Sequence, residues 1–210
     1  MSRAERKART RAAILQAARD RFVADGYDGA TIRGIAKAAG VAVGTVHAHF
    51  ADKTALLAAC FLAQIDDAVA LGFESLDPAA PLLDQLCHLA RVLYAAYARH
   101  PALSRVMVQQ GFFPAEPVRA RAEEQATAFF AEVAGLVRAA AERGDVGAPE
   151  DGGLALAQGF FAAYLLTLVG GLSGAFGDPA DPDAPERWVA GLRPVLALQV
   201  AGLGPGGRHA

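Results

Sequence analysis

Residues 31–53 read TIRGIAKAAGVAVGTVHAHFADK, and this stretch decides the fold. Thr31 suits the N-cap of a short helix over Ile32 to Ala39, because its hydroxyl can take a backbone N–H that a helix start leaves unpaired. Gly40 follows where the chain must turn sharply, in a left-handed conformation that glycine adopts without a Cβ clash. Val43 to Phe50 can then form a second short helix. Asp52 caps a third, longer one starting near Lys53, where its carboxylate also favours the helix dipole. Two short helices about a one-glycine turn make a helix-turn-helix, with Ile35, Ala36, Val41 and Val46 spaced to pack between them. Upstream, Ile14, Ala18 and Phe22 recur four apart and give a first helix its buried face.

Charge sets this region apart. Residues 1–53 hold ten Lys and Arg against five Asp and Glu, a net +5, whereas the remaining 157 residues carry a net −7. A basic quarter joined to an acidic remainder suggests a small module for a polyanion, held on a body with another task. The chain as a whole has 210 residues, 53% of them apolar, which excludes intrinsic disorder. Two cysteines, Cys60 and Cys87, each lie in an apolar run and are expected as buried thiols in a reducing cytoplasm rather than as a bridge. The charged N-terminus has no apolar stretch that could serve as a secretory signal.

Beyond residue 53, Gly and Pro punctuation falls at helix-length intervals, and apolar residues recur three and four apart between the marks. Leu82, Leu86, Leu89, Leu93 and Tyr97 form one such series, and Phe129, Val133, Val137 and Ala140 another. The pattern predicts an all-α protein of about nine helices with no sheet. We divide it into a helix-turn-helix domain at 1–53, a larger helical domain at 54–203 and a disordered Gly-rich tail at 204–210. The Gly177–Pro185 linker should be a solvated loop, and Pro194 should kink or restart the last helix.

Residues 26–41 (GYDGATIRGIAKAAGV) followed by 44–53 (GTVHAHFADK) resemble the DNA-binding domain of the tetracycline-repressor (TetR) family. The resemblance covers roughly residues 10–57, with many positions agreeing at fixed spacing across two turns. It implies an N-terminal three-helix head on a larger ligand-binding and dimerisation domain. Carried over position by position, Thr45, His47 and Lys53 match places that touch phosphates, and Thr31 and Arg33 lie near the other strand. Val43 and Gly44 open the recognition helix where base edges are met. The segment from Arg3 to Arg11 could trail along the backbone or into a minor groove, or stand as a solvated tail. Three positions depart from the family pattern. Ala42 supplies no capping oxygen, Gly34 removes a capping-box acid, and His47 stands where Tyr is usual. His47 and His49 do not make half a metal site, because positions i and i+2 of a helix diverge by about 200°. No metal or cofactor is expected.

The rest of the chain supplies candidates for the other roles. Tyr94, Tyr97, Met107, Phe112, Phe113, Phe129, Phe130, Phe161 and Tyr164 could line a cavity for an apolar or aromatic effector, with Gln109, Gln110, His88 or Arg105 to orient it. Trp188, Leu192, Val195, Leu196 and Gln199 fall on one stripe of the last helix. With Phe160 and Leu168 of the helix before it, these would pair two chains about a two-fold axis, as the resemblance implies and as a palindromic operator requires. Residues 152–177 carry no charge and are long enough for a membrane span. Acidic flanks and scattered polar and glycine residues favour a helix buried between the core and a second copy instead. The motifs of hydrolases, nucleotide-binding loops and zinc proteases are missing, so we expect no enzyme. The sequence therefore predicts a cytoplasmic, homodimeric regulator of double-stranded DNA, a repressor released by a small molecule. An activator, or a regulator without a ligand, would use the same head.

Overall fold

The computed structural model describes residues 2–111, 116 and 118–205; of Gln110 and Gly111 it describes the backbone. Among the described residues there are nine helices and no strand. They are α1 (Arg3–Gly29), α2 (Ile32–Ala38), α3 (Val43–His49), α4 (Lys53–Glu74), α5 (Leu82–Ala98), α6 (Pro101–Gly111), α7 (Val118–Glu142), α8 (Leu154–Leu172) and α9 (Ala184–Ala201). The chain divides into two compact units. One comprises residues 1–64 and 102–121, the other residues 65–101 and 122–210. The first unit is larger than the head expected from the sequence, since it includes the first half of α4 and takes in α6.

The first unit is built on Ile14, Ala18, Phe22, Ile35, Ala36, Val46, Leu56 and Leu57, all essentially inaccessible to solvent. Met107 of α6 belongs to this same core. The cavity role expected for Met107 is thus corrected, because its thioether fills the head and not the aromatic cluster of the second unit. Phe112 and Phe113 lie outside the described residues.

The N-terminal segment is neither an arm nor a loose tail. Ser2 and Glu5 form a reciprocal capping box, each side chain bonded to the other's backbone N–H, and α1 runs on from there. Alanine and arginine then supply high helix propensity as far as the break at Gly26, whose backbone leaves the helical region.

The second unit packs α5, α8 and α9 on one another, and α7 joins them through Phe129, whose ring stacks on that of Phe160 at 6.0 Å. At Gly171 the backbone of α8 lies against the Trp188 ring of α9. A Cβ there would lie 2.4 Å from the indole of Trp188, so only glycine admits the ring. The inward face of α8 carries Leu156, Phe160, Tyr164, Leu168 and Leu172 at helical spacing. By length and composition α4 and α8 are each apolar enough to cross a bilayer. α8, however, is one face of a helical bundle, and this accounts for its inward apolar residues. The charge-free run continues past Leu172 into turns, and the Asp-rich linker after it is held by Arg187, which bonds the Phe176 and Asp178 carbonyls and the Asp181 carboxylate. α9 continues through Pro194 without restarting. A proline there forfeits one helical bond, and the packing of Leu192 and Leu196 on either side holds the helix together.

Candidate nucleic-acid interface

The two short helices are held as the sequence predicts. Thr31 Oγ1 accepts from Gly34 N–H at 3.0 Å, Gly40 takes a φ of +67°, and Asp52 Oδ1 accepts from Ala55 N–H at 2.7 Å. Val41 N–H returns to the Ala36 carbonyl at 3.0 Å, closing the turn after α2. α3 has no side-chain cap, since Ala42 carries no oxygen. Ala42→Ser should therefore stabilise the head by about 1 kcal/mol, read as a raised thermal transition; an unchanged transition would mean the start of α3 already has its partners elsewhere.

α3 is anchored by a single fully buried residue, Val46. Around that anchor Val43, Gly44, His47 and Ala48 are exposed and Thr45 is half-buried. Val43 is 41% accessible, a large apolar side chain held outward on a seven-residue helix. Thr31 and Arg33 are exposed at the start of α2. His49 is half-buried, its ring 6.2 Å from that of Phe50. Burial first, and then the charges of Lys7 and Arg11, hold its pKa below the usual histidine value. The two histidines thus occupy different environments, one in solvent and one turned towards α1.

Lys53 differs from the expectation. Its Nζ donates to the carbonyls of Tyr27 at 2.8 Å and Ala30 at 3.2 Å, with Asp28 at 3.5 Å, and sits 4.4 Å from the centre of the Tyr27 ring. The ammonium is committed to the end of α1 in its own chain, not left free for a phosphate. The last turn of α1 and its C-cap leave carbonyls without helical partners, and a cation is their natural complement.

In the second unit the aromatic candidates form one continuous cluster. Tyr94 and Tyr164 stack at 4.8 Å, Trp188 meets Tyr94 edge-on at 5.5 Å, and Phe129, Phe160 and Phe161 extend the contact towards Phe130. Tyr94 Oη donates to the Tyr164 carbonyl at 3.0 Å, and the Tyr97 and Tyr164 side chains share a hydrogen bond. Burial pushes all three phenols above their usual range. Phe130 and Phe161 are half-buried at the margin of the cluster. Both cysteines are free and buried, and burial pushes the Cys60 thiol up to about 12.

The pairing stripe read from the sequence needs correction. Phe160, Leu168, Trp188 and Leu192 have no accessible surface, and Gln199 packs on Gly159 of its own chain. The first four form the inner core of the unit and have nothing left to offer a second copy, while Gln199 is half-buried. Val195 alone of the six remains exposed. Beside Val195, the outward apolar residues of these two helices are Leu154, Leu166 and Val169 on α8 and Leu198 on α9. The missed signal was the register of α8, where a helix apolar all round shows no moment to say which stripe faces in.

A compact helix-turn-helix with a near-bare recognition helix and a basic surround defines a DNA-binding head. Residues 14–60 match the family described as bacterial regulatory proteins, tetR family. The head is that of this family, whose members are DNA-binding transcriptional regulators and not enzymes. No curated protein sequence matches the chain. Among solved structures it is similar to FadR of Thermus thermophilus, a TetR-family transcriptional repressor in complex with lauroyl-CoA. That likeness has 25% identity, 95% of this chain and 98% of the other covered, and a TM-score of 0.69. FadR of Bacillus subtilis, in complex with stearoyl-CoA, shares 22% identity over 90% and 97% of the two chains, with a TM-score of 0.66. The fatty acid degradation regulator FadR of Bacillus halodurans shares 22% over 93% and 97%, with a TM-score of 0.62.

Proposed function

We propose that the protein is a cytoplasmic repressor that binds a palindromic operator as a homodimer and leaves it when a small apolar molecule binds the second unit. The observation that carries this is α3, which buries Val46 alone and turns Val43, Gly44 and His47 outward on a head of the tetR family. Val43 meets a thymine methyl and Gly44 allows close approach of the backbone, while Thr31, Arg33, Thr45 and His47 contact phosphates. With so few hydrogen-bonding side chains on α3, the shape of the duplex supplies much of the specificity.

Pairing runs through the outward stripes of α8 and α9, with Leu166 and Leu198 at its centre. A two-fold arrangement of this kind sets two recognition helices about one DNA turn (~34 Å) apart. For the effector, the half-buried Phe130 and Phe161 mark the margin at which an apolar chain enters, with Phe129, Tyr97 and Tyr164 behind them. The two FadR complexes make long-chain acyl-CoA the first class to try. An effector that favours the wrongly spaced state by a few kcal/mol empties the operator, and by reciprocity the operator weakens the effector.

The test is selection of duplexes from a random pool by the purified full-length chain, followed by titration of the selected duplex with lauroyl- and stearoyl-CoA. A palindromic consensus and release by acyl-CoA support the proposal; no enrichment of any duplex overturns it. If release fails with acyl-CoA but the consensus stands, the effector assignment alone is wrong. Within the head, Thr45→Ala should weaken every duplex alike and leave the log Kd against log salt slope unchanged, because a neutral hydroxyl displaces no counterion. Val43→Ala should leave that slope unchanged and relax the preference at one base pair of each half-site.

A further inference from the structure

The first three turns of α1 bury nothing. None of residues 3–13 is buried, and Ile14 is the first core side chain, so a rod of about 16 Å stands ahead of the head's core. Its charge is almost all of one sign. Arg3, Arg6, Lys7, Arg9 and Arg11 are exposed, none forms an ion pair among the described residues, and Glu5, the one acid between residues 2 and 19, is engaged in the capping box. Arg3, Lys7 and Arg11 succeed one another four apart, a spacing that stacks like charges on one face and by itself destabilises a helix. The same face lies against the end of the recognition helix. The Arg11 guanidinium sits 5.2 Å from the centre of the Phe50 ring, immediately after α3, and Lys7 and Arg11 are both close enough to depress the pKa of His49.

The geometry points to a phosphate rail: Arg3, Lys7 and Arg11 on the N-terminal turns of α1 grip the DNA backbone beside the groove entered by α3, extending the contact past the helix-turn-helix itself. This inference rests on the DNA-binding reading of the head and assigns to α1 a role that reading does not need. A polyanion supplies the countercharge that the stripe lacks, which removes the like-charge cost of the capped helix. Duplex DNA fits better than an anionic bilayer, because the segment carries alanine and no large apolar residue to insert below lipid headgroups. Contacts of this kind carry no base information, so they raise affinity for all sequences equally.

The experiment compares the full-length chain with the Arg3→Gln/Lys7→Gln double variant and with Arg9→Gln, which points about 200° away from Lys7. Each is titrated with a selected duplex and a random one, both about 30 base pairs (three turns), across a salt series. The expected result is a slope reduced by about 1.8 per bound protomer in the double variant, on both duplexes and with their affinity ratio unchanged. Arg9→Gln should move it by less than half as much per charge. The thermal transition should stay in place, since neither altered side chain touches the core. If the unaltered chain binds no duplex, the functional reading of the head itself has failed. If it binds and the double variant keeps the full slope, or if Arg9→Gln loses as much per charge, the rail is wrong and the head reading survives. Loss of binding to phosphatidylserine vesicles, with DNA binding intact, would also overturn it by showing that the stripe serves a lipid surface.

Discussion

A chain carrying Leu166→Asp and Leu198→Asp should sediment as a monomer at micromolar concentration and bind the selected operator at least about 100-fold more weakly. Leu166 is 75% and Leu198 77% accessible, values that leave each side chain with almost no partner in its own chain. Val169 lies three residues from Leu166 and Val195 three from Leu198, so each helix turns an apolar pair outward on one face. Burying one such leucine in a pair contributes roughly 1.5–3 kcal/mol, and two are supplied by each protomer. A carboxylate in their place has to be desolvated without a partner, which reverses the sign of the contribution. The monomer would keep one recognition helix and one set of phosphate contacts, so its salt slope should fall to about half. Its thermal transition should barely move, because the altered positions lie outside the core. A double variant that still sediments as a pair would put the pairing surface elsewhere on the molecule.

Local chemistry made the head legible. Thr31, Gly40 and Asp52 announce their positions by residue type alone, and each does in the structure what its type requires. Ile14, Ala18 and Phe22 were placed by spacing, and all three are core residues. What the sequence hid was everything decided by contacts far apart in the chain. Met107 looks like any apolar helix residue until the fold takes α6 into the head core. Trp188 reads as a surface anchor on a one-sided stripe, yet Gly171 on the neighbouring helix opens a slot that swallows the indole. In α8 the pattern is apolar on every face, so inward Phe160 and outward Leu166 cannot be told apart before the packing is known. The N-terminal charged segment is the opposite case, decided by a contact three residues apart. The Arg3 to Arg11 segment reads as an arm until the Ser2 and Glu5 capping box is recognised, and that signal was present in the sequence.

The second large effect is expected at Lys53, and it separates a structural role from a phosphate contact. Lys53→Met should lower the stability of the head by about 2 kcal/mol with no DNA present, because charge-assisted hydrogen bonds contribute roughly 1.5–3 kcal/mol and the site is half-buried. The methionine keeps most of the apolar stem, so the loss reports the ammonium and not the packing. Without it, the Tyr27 and Ala30 carbonyls lose a donor at 2.8 and 3.2 Å, and the cation over the Tyr27 ring disappears. Tyr27 Oη is itself bonded to Thr54 Oγ1 at 2.8 Å, so the segment between Gly26 and Thr31 is tied to α4 at two adjacent residues and loses one tie. That segment delivers Thr31 to its capping position. Loosening it should therefore fray α2 as well, which amide hydrogen exchange at Ile32 to Ile35 would detect as faster opening. The alternative makes an opposite pair of forecasts: a lysine that serves a phosphate would leave the free protein as stable as before and lower the salt slope by about 0.9 per protomer. Measuring unfolding and the slope on the same preparation decides between them, since the carbonyl latch moves the first and a phosphate contact the second.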